Sequence, residues 1–160
     1  MCGFLEKEKM KESTETNLQE IKNLFISVKA TKERRLEKLL DKRVNHILNL
    51  PENWDDNGAE KFKKETLERV SNLLKKILQE LWDQMVDVPF PLISPVPDGS
   101  VDINWETDKF ELLINVPAKD NLLVNLYGER MSHPEDEVEV RINYDMAAQY
   151  VIPWLIKVSS

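Results

Sequence analysis

Pro95–Trp105, which reads PVPDGSVDINW, is the stretch that decides the fold of this chain. Asp98-Gly99 favours a tight hairpin turn, because glycine accepts the positive φ that such turns require. The prolines before the turn exclude a helix, and after it apolar and polar residues alternate as in a half-buried strand. The apolar positions of that strand are Val101, Ile103 and Trp105. The chain leaves helical chemistry at Val88–Pro91, and this stretch predicts the first pair of antiparallel strands.

The same alternation continues towards the C-terminus and predicts further strands on one apolar face. Their apolar residues lie within Phe110–Val116, Leu122–Leu126 and Val138–Tyr144. The polar residues of Gly128–Asp136 predict a loop between the last two strands. Four or five short strands joined in chain order form an antiparallel meander, and its apolar face must be covered by helices.

Helical spacing of apolar residues dominates the chain before Val88–Pro91, where a run of prolines begins. Residues 1–17 are mostly charged and predict a disordered or frayed tail. Residues 18–50 predict a helical arm that ends before Pro51, and a second helix, over Lys63–Met85, carries a broad apolar face suited to the core. Whether the arm is one helix or two that meet near Ala30–Lys32 stays open.

A closing helix is expected over Met146–Val158. Asp145 is placed to cap it, Trp154, Leu155 and Val158 to dock it, and Pro153 to kink or split it. The expected fold is α+β: an N-terminal helical arm and a core helix packed on an antiparallel meander of four or five strands, with a C-terminal helix. Residues 51–160 would form the α+β domain.

Composition limits the cell compartment and the partners. The single cysteine precludes an internal disulfide, and no apolar run reaches the length of about 18 residues that a membrane span needs. We therefore expect a cytoplasmic protein. Residues 1–50 carry a net charge of +3 and residues 51–160 a net charge of −10, which together give −7. An acidic body repels nucleic-acid phosphates and attracts basic partners.

No motif of enzyme or cofactor chemistry is present, so we predict no catalytic residue, no cofactor and no metal site. The glycines are too few and scattered for a phosphate-binding loop. Two distant histidines and one cysteine do not make a zinc site. Asn53–Gly58 resembles the start of a calcium loop, but Lys64 stands where that loop needs a bidentate glutamate.

Two Trp-containing signatures are the most specific features: NWDDNGA at Asn53–Ala59, and PVPDGSVDINW. Turn residues beside a large ring predict a fixed corner, so these signatures are interpreted as structural. Their key residues are Trp54, Asp55, Gly58, Asp98, Gly99 and Trp105. A third reading is a metal-dependent enzyme that uses carboxylates from both loops. Those carboxylates are Asp55, Asp56, Asp98 and Asp102.

Together the signatures resemble an uncharacterised family of small prokaryotic proteins that show W-D-x-x-G-A before a core helix and then P-x-P-D-G-x-V-x-I-x-W. The matching residues are Trp54, Asp55, Gly58, Ala59, Pro95, Pro97, Asp98, Gly99, Val101, Ile103 and Trp105. The match covers residues 50–116 and implies genes in mobile or defence-related neighbourhoods, without an established activity. The chain departs from the pattern where Asn57-Gly58 stands beside the Lys-rich Lys61–Lys64.

The leading functional hypothesis is a non-enzymatic protein-interaction module: an antitoxin, an immunity-type inhibitor or an accessory protein of a prokaryotic defence or mobile-element system. Its partner would be another protein, encoded nearby, or a second copy bound through the arm, and the arm and the acidic sheet face would do the binding. The expected partner-binding residues are Leu18, Ile21, Phe25, Val28, Lys32 and Arg35. The alternative is a nucleic-acid-associated regulator that binds through the basic arm, or a phosphate mimic.

Overall fold

The structure is a computed structural model that describes residues 2–119 and 122–160. It contains three helices and five strands in the described chain. The helices are α1 (Cys2–Leu48), α2 (Lys64–Asp83) and α3 (Tyr144–Ser159). The strands are β1 (Leu92–Pro95), β2 (Val101–Glu106), β3 (Phe110–Val116), β4 (Leu123–Arg130) and β5 (His133–Asn143).

The strands form one antiparallel sheet in the order β1-β2-β3-β4-β5, so every connection joins neighbours. Helix α2 contacts β2 and β3, α3 contacts β4 and β5, and the two helices contact each other. They cover the face that carries the alternating apolar residues, and the opposite face carries the polar residues. The predicted α+β fold, with a core helix, a C-terminal helix and an antiparallel meander, is confirmed.

The predicted hairpin at Asp98-Gly99 joins β1 to β2. The amide of Val96 donates to the carbonyl of Ser100 (3.0 Å), and the amide of Gly99 donates to the carbonyl of Val96 (3.0 Å). Gly99 has a φ of +87°, in the region where only glycine is unstrained. The turn chemistry read from the sequence therefore sets the register of the first two strands.

The polar loop predicted over Gly128–Asp136 is wrong. Strand β4 continues to Arg130 and β5 begins at His133, so only Met131 and Ser132 connect them. Ser132 takes a left-handed φ of +64°, which lets a two-residue connection reverse the chain. The connection between β3 and β4 includes residues 120 and 121, which lie outside the described residues.

Helix α3 begins earlier than expected and runs without interruption through Pro153. Its cap is Asn143, whose side chain accepts the amide of Asp145 (3.2 Å), and not Asp145 itself. Tyr144, expected at the end of the last strand, starts the helix. Pro153 and the residue four positions before it, Gln149, are both exposed. Proline has no N–H, so the carbonyl of Gln149 lacks its intrahelical donor. Because both residues are exposed, that carbonyl faces solvent, which is where a helix tolerates proline best.

Helix α1 is one continuous helix across Ala30–Lys32, and it includes the residues interpreted from the sequence as a tail. The chain divides into two compact units, residues 1–37 and residues 38–160, so the division falls inside α1. Within the second unit, the Arg43 guanidinium donates two hydrogen bonds to the carbonyl of Ile93 (3.0 and 2.8 Å). No helix among the described residues is long and apolar enough to cross a membrane.

Candidate interaction surfaces and the signature corner

The first signature forms a loop closed by its own polar groups. The amide of Asn53 donates to the carbonyl of Ala59 (2.7 Å), and the Asn53 side chain accepts the amide of Gly58 (2.6 Å). Asp55 Oδ1 accepts the amides of Asn57 and Ala59, both at 3.0 Å. These contacts engage one oxygen of Asp55, a carboxylate that the metal-dependent reading names, in closing the loop.

The second signature lies against the first. The amide of Glu60 donates to the carbonyl of Pro97 (3.0 Å). A Cβ atom added to Gly99 would lie 3.2 Å from both the Glu60 Oε2 and the Ala118 Cβ. A side chain at Gly99 would therefore push against Glu60, which directly follows the first signature, and against Ala118. The two signatures thus meet at one corner, here called the signature corner.

The tryptophans of the signature corner differ in their surroundings. The Trp105 ring is 1% exposed, and its Nε1 donates to the carbonyl of Pro89 (2.8 Å). The Trp54 ring is half-buried and lies 6.2 Å from the Phe62 ring. The Trp54 Nε1 has no hydrogen-bond partner among the described residues. Trp105 is therefore the one that belongs to the sheet core.

No three of the four aspartates named for the metal-dependent reading lie within metal-ligand distance of one another. Asp98 Oδ1 accepts the Ser100 hydroxyl (2.5 Å), and Asp102 Oδ1 accepts the Asn115 side-chain amide (2.7 Å). Across residues 2–119 and 122–160, the one group of three potential metal ligands lies elsewhere, at His133, Glu135 and Asp136.

Asp136 of that group is paired with cations of the protein itself. The buried Asp136 carboxylate contacts the Lys157 ammonium (2.5 Å) and the Arg130 guanidinium (3.0 Å). The Asp136 carbonyl also accepts the Trp154 indole N–H (2.8 Å). Hydrogen bonds from Lys157 and then Arg130 lower the pKa of Asp136 below its usual value. The cluster thus fastens α3 to the β4–β5 hairpin, and its buried carboxylate is already neutralised.

We expect Asp136→Asn to destabilise the protein at neutral pH and to lose that effect in acid. Because the folded pKa is lowered, the carboxylate stabilises the fold above its unfolded pKa of about 3.9, and this contribution disappears as the pH falls through the folded pKa. Urea midpoints of the two proteins between neutral pH and acid measure the difference. Asp108→Asn, at an exposed aspartate, is the control. A difference that persists unchanged into acid would contradict the assignment.

The uncovered face of the sheet carries a polar row across four strands. Asp102, Asn115, Asn125 and Arg141 are in register on β2 to β5. Side-chain amides link them: Asn125 Nδ2 donates to Asn115 Oδ1 (3.3 Å), and Arg141 Nε donates to Asn125 Oδ1 (3.0 Å). The row ties the strands together on the solvent side, where each polar group has a neighbour to bond.

The uncovered face is also strongly acidic. The acidic face is defined by Asp102, Glu106, Glu111, Glu129, Glu137 and Glu139. Glu106 lies opposite Glu111, and Glu111 opposite Glu129. The Tyr127 hydroxyl donates to Glu129 (2.9 Å), and this bond, followed by the charges of Glu129 and other nearby glutamates, raises the pKa of Tyr127. The sequence shows these residues only as the polar half of an alternation, and their alignment depends on the register.

Helix α1 presents the second candidate surface. The arm stripe is defined by Leu18, Ile21, Phe25 and Val28. Leu18, Ile21 and Val28 are 53%, 64% and 47% exposed, and Phe25 is half-buried. Leu24 and Ile26, which the spacing argument left out, are also exposed. Lys32 is half-buried and Arg35 exposed, one and two helical turns beyond the stripe.

These observations define a class, an α+β protein with an acidic open sheet and an apolar stripe on a long helix. Comparison with family models, curated proteins and solved structures finds no match to this chain.

Proposed function

We propose that this protein is a non-enzymatic interaction module that binds another protein through the arm stripe. The observation that carries the proposal is the exposure of large apolar side chains at three- and four-residue spacing on a helix. Each such side chain stabilises a complex by roughly 1.5–3 kcal/mol when a partner buries it fully, and it contributes nothing of this kind while it stays in water. Contiguous exposed apolar patches on monomers mark binding surfaces.

The spacing indicates what kind of contact the arm makes. Leu18, Ile21, Phe25 and Val28 occupy alternating three- and four-residue steps, the pattern of a helix that packs along another helix. The partner is therefore a helix, either of another protein or of a second copy. The role we propose is that of an antitoxin, an immunity-type inhibitor or a defence-system accessory, in each of which one protein binds another.

We expect Ile21→Asp with Phe25→Asp to weaken partner binding by about tenfold or more, since two charges would enter an apolar contact. The full chain, affinity-tagged, is used to capture partners from a native lysate, and its mass in solution reports self-association. Thr16→Asp with Asn23→Asp adds the same charge on the opposite side of the same helix and is the matched control. Equal capture and equal mass for all three proteins would contradict the proposal.

The alternative is that the arm contacts nucleic acid, supported by its net positive charge. Arg34 and Arg35 are exposed on α1, whereas Arg43 is engaged with the carbonyl of Ile93. A salt titration separates the two functions. Binding to phosphates weakens steeply with salt because counterions are released, whereas apolar helix pairing does not.

A further inference from the structure

The acidic face is mainly negative, although positive side chains would keep the sheet equally soluble. Its six carboxylates share the uncovered strand positions with one cation, Arg141. The polar side of an antiparallel sheet needs hydrophilic residues, and lysine meets that need as well as glutamate. An excess of one sign creates a field that attracts opposite charge.

The register adds a cost to that excess. Glu106, Glu111 and Glu129 stand in line on three neighbouring strands. Like charges directly opposite each other destabilise an antiparallel pair. Hydrogen bonds relieve the row only in part: the Asn104 side chain donates to Glu106 (2.8 Å) and the Tyr127 hydroxyl to Glu129 (2.9 Å). Cations placed across the row would remove the repulsion.

A depression lies beside the glutamates. Leu113 and Tyr127 face each other on β3 and β4, and they line this depression of about 480 Å³ together with Asn115, Asn125, Glu139 and Arg141. Tyr127 is 39% exposed. A depression that combines apolar and charged lining residues suits a protein-binding surface, in which an apolar side chain is seated and charges select the partner.

We propose that the acidic face docks a lysine- and arginine-rich segment of a partner protein, with an apolar side chain seated on Leu113 and Tyr127. Charge complementarity selects this occupant. A second copy of the face would bring like charges together, whereas a basic segment pairs with Glu106, Glu111 and Glu129. The inference names the chemistry of the partner and rests on the proposed interaction function.

The test uses the ¹⁵N-labelled full chain and, as probe, a synthetic amphipathic lysine–leucine helix of about 18 residues. Amide shift changes should map to β2–β5. Glu111→Gln with Glu129→Gln should weaken the affinity by about fivefold, because two rim charge contacts are lost. Glu52→Gln with Glu80→Gln removes equal charge from exposed positions elsewhere and should change it less than about twofold.

The thermal stability of the same variants is measured as a control for folding. Removing like charges that face each other should leave the Tm of the Glu111→Gln/Glu129→Gln variant unchanged or higher, so weaker binding would not reflect unfolding. Tyr127→Ala should also weaken binding, because it removes the ring on which the apolar side chain of the partner would be seated. Equal losses for both glutamine pairs, or the absence of shift changes in β2–β5, would overturn the inference. So would the same shift changes with Mg²⁺ or Ca²⁺ alone, which would mark an ion site.

The two proposals fail separately. Loss of lysate capture in the arm variant, together with no binding of the peptide to the sheet, would sustain the interaction function and remove the acidic face from it. Peptide binding at the sheet with unaltered capture by the arm variant would do the reverse, and the helix contact would then be the proposal to abandon.

Discussion

Trp105→Ala is expected to lower the free energy of unfolding by about 3–5 kcal/mol, the usual cost of deleting a buried aromatic ring. The ring is 1% exposed and fills the interior behind β2. Deletion removes its packing, leaves a cavity and deprives the Pro89 carbonyl of its indole donor. At about 2–4 °C per kcal/mol for a domain of this size, the Tm should fall by roughly 10 °C.

Two further tryptophan variants in the signature corner should be less destabilising than Trp105→Ala. Trp105→Phe retains most of the packing and loses the hydrogen bond, so it should cost about 1–3 kcal/mol. Trp54→Ala removes a half-buried ring whose N–H lacks a partner among the described residues, and it should cost less than Trp105→Ala. Urea unfolding of the three variants gives the order. A loss for Trp54→Ala as large as that for Trp105→Ala would refute the assignment of Trp105 to the core.

Gly128→Ala is expected to cost about 1–3 kcal/mol, as overpacking of a filled interior does. A Cβ atom at Gly128 would lie 2.9 Å from two ring atoms of Trp154 and 3.2 Å from a methyl group of Leu112. The φ of Gly128 lies outside the left-handed region, so the cost is steric. The Trp154 ring cannot move freely, because it donates to Asp136 and packs edge-on against Phe110 at 6.0 Å.

A double-mutant cycle tests the steric origin. Trp154→Phe shortens the ring that the new methyl group meets, so Gly128→Ala should cost about 1 kcal/mol less in that background than in the natural chain. Gly3→Ala is the control, because a Cβ atom there meets nothing within 4 Å. Equal costs of Gly128→Ala in both backgrounds would show that the Trp154 contact does not set the penalty.

The sequence predicts most elements of this fold because their signals are local. The Asp98-Gly99 turn, the alternation in β2 and β3, and the apolar face of α2 each follow from a few neighbouring residues. The misplaced elements depend on context that a local pattern lacks. The hydrophilic residues of His133–Glu137 look like a loop, and they are strand because β4 offers them a hydrogen-bonding edge.

Of the two candidate surfaces, the sequence predicts the one on the helix and not the one on the sheet. Leu18, Ile21, Phe25 and Val28 are readable from the sequence, since a helix fixes which of its residues share a side. The acidic alignment of Glu106, Glu111 and Glu129 is not readable, since each belongs to a different strand.

The sequence by itself determined the order of helices and strands, the position of the first hairpin, and which side of each strand is apolar, because helix and strand periodicities act over a few residues. Only the tertiary structure decided which glutamates face one another, that the carboxylate of Asp136 is enclosed by Arg130 and Lys157, and that Gly128 makes room for Trp154. Those relations join residues distant in the chain, and they exist only after strand register and helix packing bring the side chains within contact distance.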